Sequence, residues 1–167
     1  MPSAGEQALS RAELVEVYEI WMLLGPMAVA RTATLGSREW VFEAVDLVAR
    51  MRTEDAEARW TDDNFRFHRL IEDAGSGPRM AAILGELREL AKGHAEKAIL
   101  AHAGRASNAN AEHEEILRAI IAGDAQAAAD AMLRHLDSSL RNLLTVRPVS
   151  PCALPGLPSE PPGCSSA

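Results

Sequence analysis

Aromatic residues are scarce in this chain: three tryptophans, three phenylalanines and one tyrosine make 4% of 167 residues. Sheet proteins lean on aromatic and β-branched side chains, so the shortage turns expectation towards helices rich in alanine and leucine. Cysteine is scarcer still. Cys152 and Cys164 both stand in the C-terminal tail, which argues against a disulfide stapling the core and against thiol catalysis. Basic charge is in deficit, with 17 Lys and Arg against 24 Asp and Glu and a net charge of −7. A phosphate-binding surface needs a basic patch that releases counterions, so direct nucleic-acid binding is not expected. No apolar run reaches spanning length, and no basic start followed by an apolar core opens the chain. Neither membrane insertion nor export is therefore expected, and the expected setting is the cytoplasm. A glycine-rich phosphate loop and a serine in a nucleophile elbow are missing as well.

What is present suits one ordinary domain able to bury a core: 47% hydrophobic and 25% charged residues. After a flexible leader over 1–10, Leu14, Val17, Tyr18, Trp21 and Leu24 recur at helical spacing and predict a first helix over 11–34. Gly25-Pro26 is expected to bend or break it, because proline removes a backbone donor and crowds the preceding turn. Ser37 can cap a second helix with Trp40, Val41, Ala44, Val45 and Val48 on one face. Thr61 or Asp62 opens a third, with Phe67, Leu70, Ile71 and Ala74 inward. Pro78 starts a fourth with Met80, Ile83, Leu84, Leu87, Leu90 and Ala91, running towards Ala101. Ser107-Asn108 leads into a fifth with Ile116, Leu117 and Ile120. Gly123 ends that helix and Asp124 caps a sixth with Ala128, Met132, Leu136 and Leu140. No segment alternates as a half-buried strand does. The expected fold is all-α, an antiparallel bundle of six to seven helices over 11–146. From residue 147 the chain holds six of its nine prolines and no apolar period, which predicts disorder over 147–167.

Three histidines, His68, His113 and His135, lie in or beside apolar stripes, where histidine is not a default residue. Asn64 precedes His68 by one turn, which puts their Cβ atoms roughly 6 Å apart on one face. His113 lies ten residues before Gly123 and His135 eleven after Asp124. In a tight hairpin both are then about 15–17 Å from the turn, level with each other. Two imidazoles pointing inward at one height can share a metal, and the Asn64/His68 turn can supply the remaining ligands. Neutral imidazole suits zinc, nickel, copper or iron, and such a site would welcome a carboxylate. The plainer alternative gives each histidine its own hydrogen bond in the core. His94 and His102 fall where the fourth helix frays and read as surface.

Sharper chemistries fail on spacing. His113-Glu114-Glu115-Ile116-Leu117 approaches the metalloprotease helix motif, but Leu117 stands where the second histidine belongs. A carboxylate-bridged di-iron site needs glutamate three residues before each ligand histidine, and Phe65, Asn110 and Met132 hold those places. No base or nucleophile is placed for catalysis, so an enzyme is not the expectation. A small metal-dependent bundle enzyme with a three-histidine site is the alternative from another class.

The series Asn64-Phe65-Arg66-Phe67-His68-Arg69-Leu70-Ile71, Gly77-Pro78, Glu112-His113-Glu114-Glu115-Ile116, Ala119-Ile120, Gly123-Asp124, Ala128 and His135-Leu136 resembles the C-terminal effector (FCD) domain of FadR-type GntR transcriptional regulators, over about residues 11 to 145. The resemblance implies a usually dimeric bundle of six or seven helices. It implies a divalent metal held by Asn64, His68, His113 and His135, with a small carboxylate effector beside it. Three departures stand out. Asparagine at 64 replaces the aspartate of many members and removes a charge. Trp21 and Gly25 stand where a first-helix arginine and a glutamate are frequent; that arginine is an effector clamp, for which Arg66 and Arg88 are substitutes, although a solvated surface role is the first expectation for each. A winged helix-turn-helix domain normally precedes this one, and here only a short leader does. The resemblance thus implies a metal-dependent sensor and dimerisation domain without its own DNA-binding half, or a dimerising module that has lost its ligand. No apolar stripe stands clearly surplus to the core, so the homodimer follows from resemblance alone.

Overall fold

A computed structural model describes residues 9–35, 38–53, 57–101 and 105–145, and every described element is a helix. The six are α1 (Arg11–Ala33), α2 (Trp40–Thr53), α3 (Glu57–Asp73), α4 (Pro78–Ala101), α5 (Arg105–Ala122) and α6 (Ala125–Thr145). The expected all-α bundle is what forms. Ser37, His102 and the tail lie outside the described residues. None of the described helices is long and apolar enough to cross a membrane.

Local chemistry explains the helix ends. Ser10 and Glu13 make a reciprocal capping box: the Glu13 amide donates to Ser10 Oγ at 3.3 Å and the Ser10 amide to Glu13 Oε2 at 2.8 Å. Gly123, with φ of 75°, closes α5 through bonds from its own amide to Ile120 O and from the Asp124 amide to Ala119 O. Asp124 then accepts from the Ala127 amide and starts α6. The predicted hairpin forms around this turn.

Pro26 does not break α1, which runs through it to Ala33. One backbone bond is forgone there. Burial of Trp21, Ala28, Val29 and Ala33 along the same helix offsets that loss. Three further expectations are corrected. Helix α3 begins at Glu57, before Thr61, because Trp60 and Thr61 are themselves buried and act as core positions, not as a cap. Helix α5 likewise begins at Arg105, ahead of Ser107. Helix α2 buries Ala44, Leu47, Val48 and Met51 and leaves Val45 about half exposed, a face rotated from the predicted one. Helix α4 buries Leu84, Leu87 and Ala91 while Ile83 and Leu90 face outwards. Both helices carry more apolar residues than one face holds, and packing decides which stripe goes in.

Helix α6 packs mainly on α1 and α5, and α3 packs against α1, α2 and α4. The α3–α4 turn presses onto α1: Thr32 Oγ1 donates to Ile71 O at 2.7 Å, and Gly75 lies directly on the α1 backbone. Several apolar side chains remain uncovered among the described residues, with Phe42 on α2 the most exposed at 84%. Ile20, Leu23 and Met27 are exposed at i, i+3 and i+7 on α1, with Leu23 72% accessible, and Ile83 and Leu90 are exposed on α4, which packs beside α1. This corrects the expectation that no stripe is surplus.

Candidate metal centre

The inward face of α3 carries Asn64, His68 and Glu72 at successive turns, interleaved with Phe67 and Ile71. Helix α5 brings His113 and α6 brings His135 to the same level. All three rings are buried, His113 completely. Their centroids stand 5.2 Å (His68–His113), 4.9 Å (His68–His135) and 4.6 Å (His113–His135) apart. One ring nitrogen from each lies within 4.8 Å of the others. The spacing argument had paired His113 with His135 across the hairpin, and the structure brings both together with His68. Asn64 is buried one turn before His68.

Aromatic residues wall the cluster. Phe67 packs at 4.9 Å from the His113 ring, Trp60 stacks on it at 6.3 Å, and Trp21 meets His68 edge-on at 5.6 Å. Asn110 anchors Trp60, accepting from its indole N–H and donating to Met51 O. Burial holds the His68 pKa well below its usual value, with the nearby His135 and Arg88 acting in the same direction. A neutral imidazole is the form that ligates.

The donor set fits a divalent cation. His68 Nε2 and His135 Nε2 are 3.1 Å apart. Two nitrogens on one tetrahedral zinc stand roughly 3.3 Å apart, given Zn–N bonds of about 2.0–2.1 Å. His68 Nδ1 is buried with no hydrogen-bond partner among the described residues, so hydrogen bonding alone does not satisfy this ring. Asn64, His68, His113 and His135 are the residues that could hold the ion.

A second buried polar group adjoins the cluster, and sequence reasoning missed it. Glu72 is fully buried; its Oε1 accepts from Trp21 Nε1 at 2.7 Å and its Oε2 pairs with Arg88, which also reaches Asp73 at 3.1 Å. Burial raises the Glu72 pKa to about 7 in spite of Arg88 and the indole. Gly25 makes room for this: a Cβ there would stand 3.1 Å from Trp21 Cδ1 and 3.2 Å from Glu72 Oε1. Arg88 is thus an interior residue, which overturns its expected solvated role. Arg66 is on the surface, paired with Glu43 at 2.7 Å, away from the histidines. Trp21 spends its polar atom on Glu72. His94 is half-buried, more enclosed than its surface reading. Glu112, also missed, contacts His135 Nδ1 at 2.7 Å. A surface groove of about 450 Å³ between α2 and α5, lined by Val45, Val48, Leu117 and Ile121 among others, contains none of the histidines.

Fold and centre together define an all-helical bundle with a buried three-histidine cluster. The chain belongs to the FCD domain family, whose sequence profile matches residues 16–138. It is similar in structure to the GntR of Streptococcus agalactiae (TM-score 0.67, 20% identity, covering 84% of this chain and 64% of that one). It is similar also to the metal-free FCD domain of TM0439 (TM-score 0.68, 18% identity, 84% and 100% covered). The chain therefore spans under two thirds of the length of the streptococcal protein. A comparison with curated proteins gives no match.

Proposed function

We propose that this domain is a metal-dependent sensor of small organic acids and a dimerisation module in a cytoplasmic GntR/FadR-type transcriptional regulator, and not an enzyme. The observation that carries the reading is the convergence of three buried imidazoles from three helices, with one nitrogen of each inside 4.8 Å. Asn64, His68, His113 and His135 would hold a divalent ion, zinc or nickel. When bound, the ion supplies a buried positive charge to which a carboxylate can attach. The protein contributes the rest. Trp21, Trp60 and Phe67 exclude water from the rings, which strengthens attraction between an anion and any cation held there. Because the ligands sit on α3, α5 and α6, an effector that prefers one arrangement of these helices shifts the population towards it, and a DNA-binding domain reads that shift. The exposed row Ile20, Leu23 and Met27 supports a homodimer.

Metal analysis of the purified protein beside His113→Ala and His135→Ala variants tests this. One equivalent of zinc or nickel is expected in the wild type after incubation, and a loss of binding in both variants. A wild type that takes up neither metal would sink the site. Stoichiometric metal in both variants would sink the ligand assignment.

A further inference from the structure

We propose that Glu112 is a positioning residue for the histidine centre: its carboxylate fixes the His135 ring in the tautomer protonated on Nδ1, so that the Nε2 lone pair faces the other histidines. The relevance to metal binding rests on the function proposed above; the tautomer itself does not.

The two residues meet across the α5–α6 hairpin, with His135 Nδ1 at 2.7 Å from Glu112 Oε2. His135 is 4% exposed on its side chain and Glu112 26%, so the carboxylate stands at the rim and the ring inside. A carboxylate only accepts hydrogen bonds, so the hydrogen between them belongs to Nδ1. A neutral ring protonated there has a bare Nε2. That atom lies 3.1 Å from His68 Nε2, and two nitrogens at that distance need one donor and one acceptor. In the metal-free protein His135 is the acceptor, so His68 carries its hydrogen on Nε2 and must pass it to Nδ1 before Nε2 can ligate. The lone pair of His68 then sits on Nδ1, the buried atom with no hydrogen-bond partner among the described residues. One carboxylate at the edge of the bundle thus sets the hydrogen positions of two interior rings. Without it, the His135 proton can sit on either nitrogen, and the Nε2–H form blocks the atom that faces the centre. A carboxylate behind a ligating imidazole also raises the basicity of the ring.

Long-range proton–nitrogen correlation spectra of histidine-labelled, metal-free protein near neutral pH read the tautomers directly. The wild type should show His135 with a protonated Nδ1 and a bare Nε2. Glu112→Ala should mix or reverse the tautomers, and Glu112→Gln, whose amide oxygen still accepts, should restore them in part. Zinc affinity, measured by chelator competition, should fall about 10–100-fold in Glu112→Ala, with Glu112→Gln in between. Glu112 could instead serve only to hold the hairpin together; that role would lower the melting temperature without moving the tautomer. A wild-type His135 found as the Nε2–H form, or protonated on both nitrogens, overturns the proposal with no variant needed. So does an unchanged tautomer in Glu112→Ala, or a zinc affinity within twofold of a wild type that binds. A wild type that binds no zinc removes the sensor reading instead, and the spectra still decide on Glu112.

Discussion

Glu72 and His68 lie one turn apart on α3 and respond to pH in opposite senses. Glu72 has a folded pKa of about 7, raised from 4.5 by burial, so the folded chain binds the extra proton. Its contribution to stability is whole below pH 4.5 and is lost as pH rises towards 7, at up to about 1.4 kcal/mol per pH unit. His68 stays neutral when folded, its pKa held well below 6.5 by burial first. The unfolded histidine takes up a proton below 6.5 and the folded one does not, so that contribution is lost as pH falls. The two slopes oppose each other as pH falls below 6.5. In urea unfolding, the stability of wild type minus that of Glu72→Gln should fall across pH 4.5 to 7 and level off above it. A pH-independent difference would show that Arg88 and Trp21 balance burial at Glu72. The histidines were legible in the sequence because histidine is out of place on an apolar stripe and hairpin arithmetic set two of them level. The Glu72–Arg88–Trp21 group was not, because its members lie 16 and 51 positions from Glu72 and no local pattern joins them. One signal was available: Glu72 continues the inward row of Asn64 and His68.

At the scale of elements, the turn between α3 and α4 shows what a single hydrogen atom allows. A Cβ on Gly75 would overlap the Ala28 carbonyl oxygen and stand 2.7 Å from the Thr32 amide nitrogen. Both are backbone atoms inside a helix and cannot swing aside, so the turn must lift off α1. Gly75→Ala should destabilise the fold by about 2–3 kcal/mol, at the upper end of overpacking costs. In a chain of this size that lowers Tm by roughly 2–4 °C per kcal/mol, readable by circular dichroism. A Tm within one degree of wild type would mean that the turn is not seated on α1 as described. Composition alone reads Gly75-Ser76-Gly77-Pro78 as a stop between helices and cannot show that one glycine is a contact surface. The rotated faces of α2 and α4 have a similar origin. Val41, Val45 and Val48 form as good an inward row as Ala44, Leu47, Val48 and Met51, and only the neighbours distinguish them.

For the molecule as a whole, the uncovered row on α1 carries the expectation of a dimer. Leu23 is 72% exposed, so changing it costs the isolated fold little. A charge in the centre of an apolar interface is expensive to bury. Leu23→Asp should therefore shift the protein from dimer to monomer in sedimentation velocity with unchanged helicity. A monomeric wild type, or a variant that stays dimeric, removes this face from the interface. The number of helices and the hairpin were readable from periodicity and caps. Which outer surface stays bare was not, since an exposed leucine and a buried one look alike in a string of residues.

The origin of the three imidazoles on α3, α5 and α6 bears on how long a copy of this domain survives. In an unfolded chain these side chains are dozens of residues apart and offer a ligand no common seat. Whatever the cluster binds therefore binds unfolded copies far more weakly than assembled ones. A ligand at a thousand times its Kd adds about 4.1 kcal/mol to their stability. Proteases act on chains that open, so occupied copies should outlast empty ones. Abundance would then follow ligand supply, a second readout of the same centre that needs no change of shape.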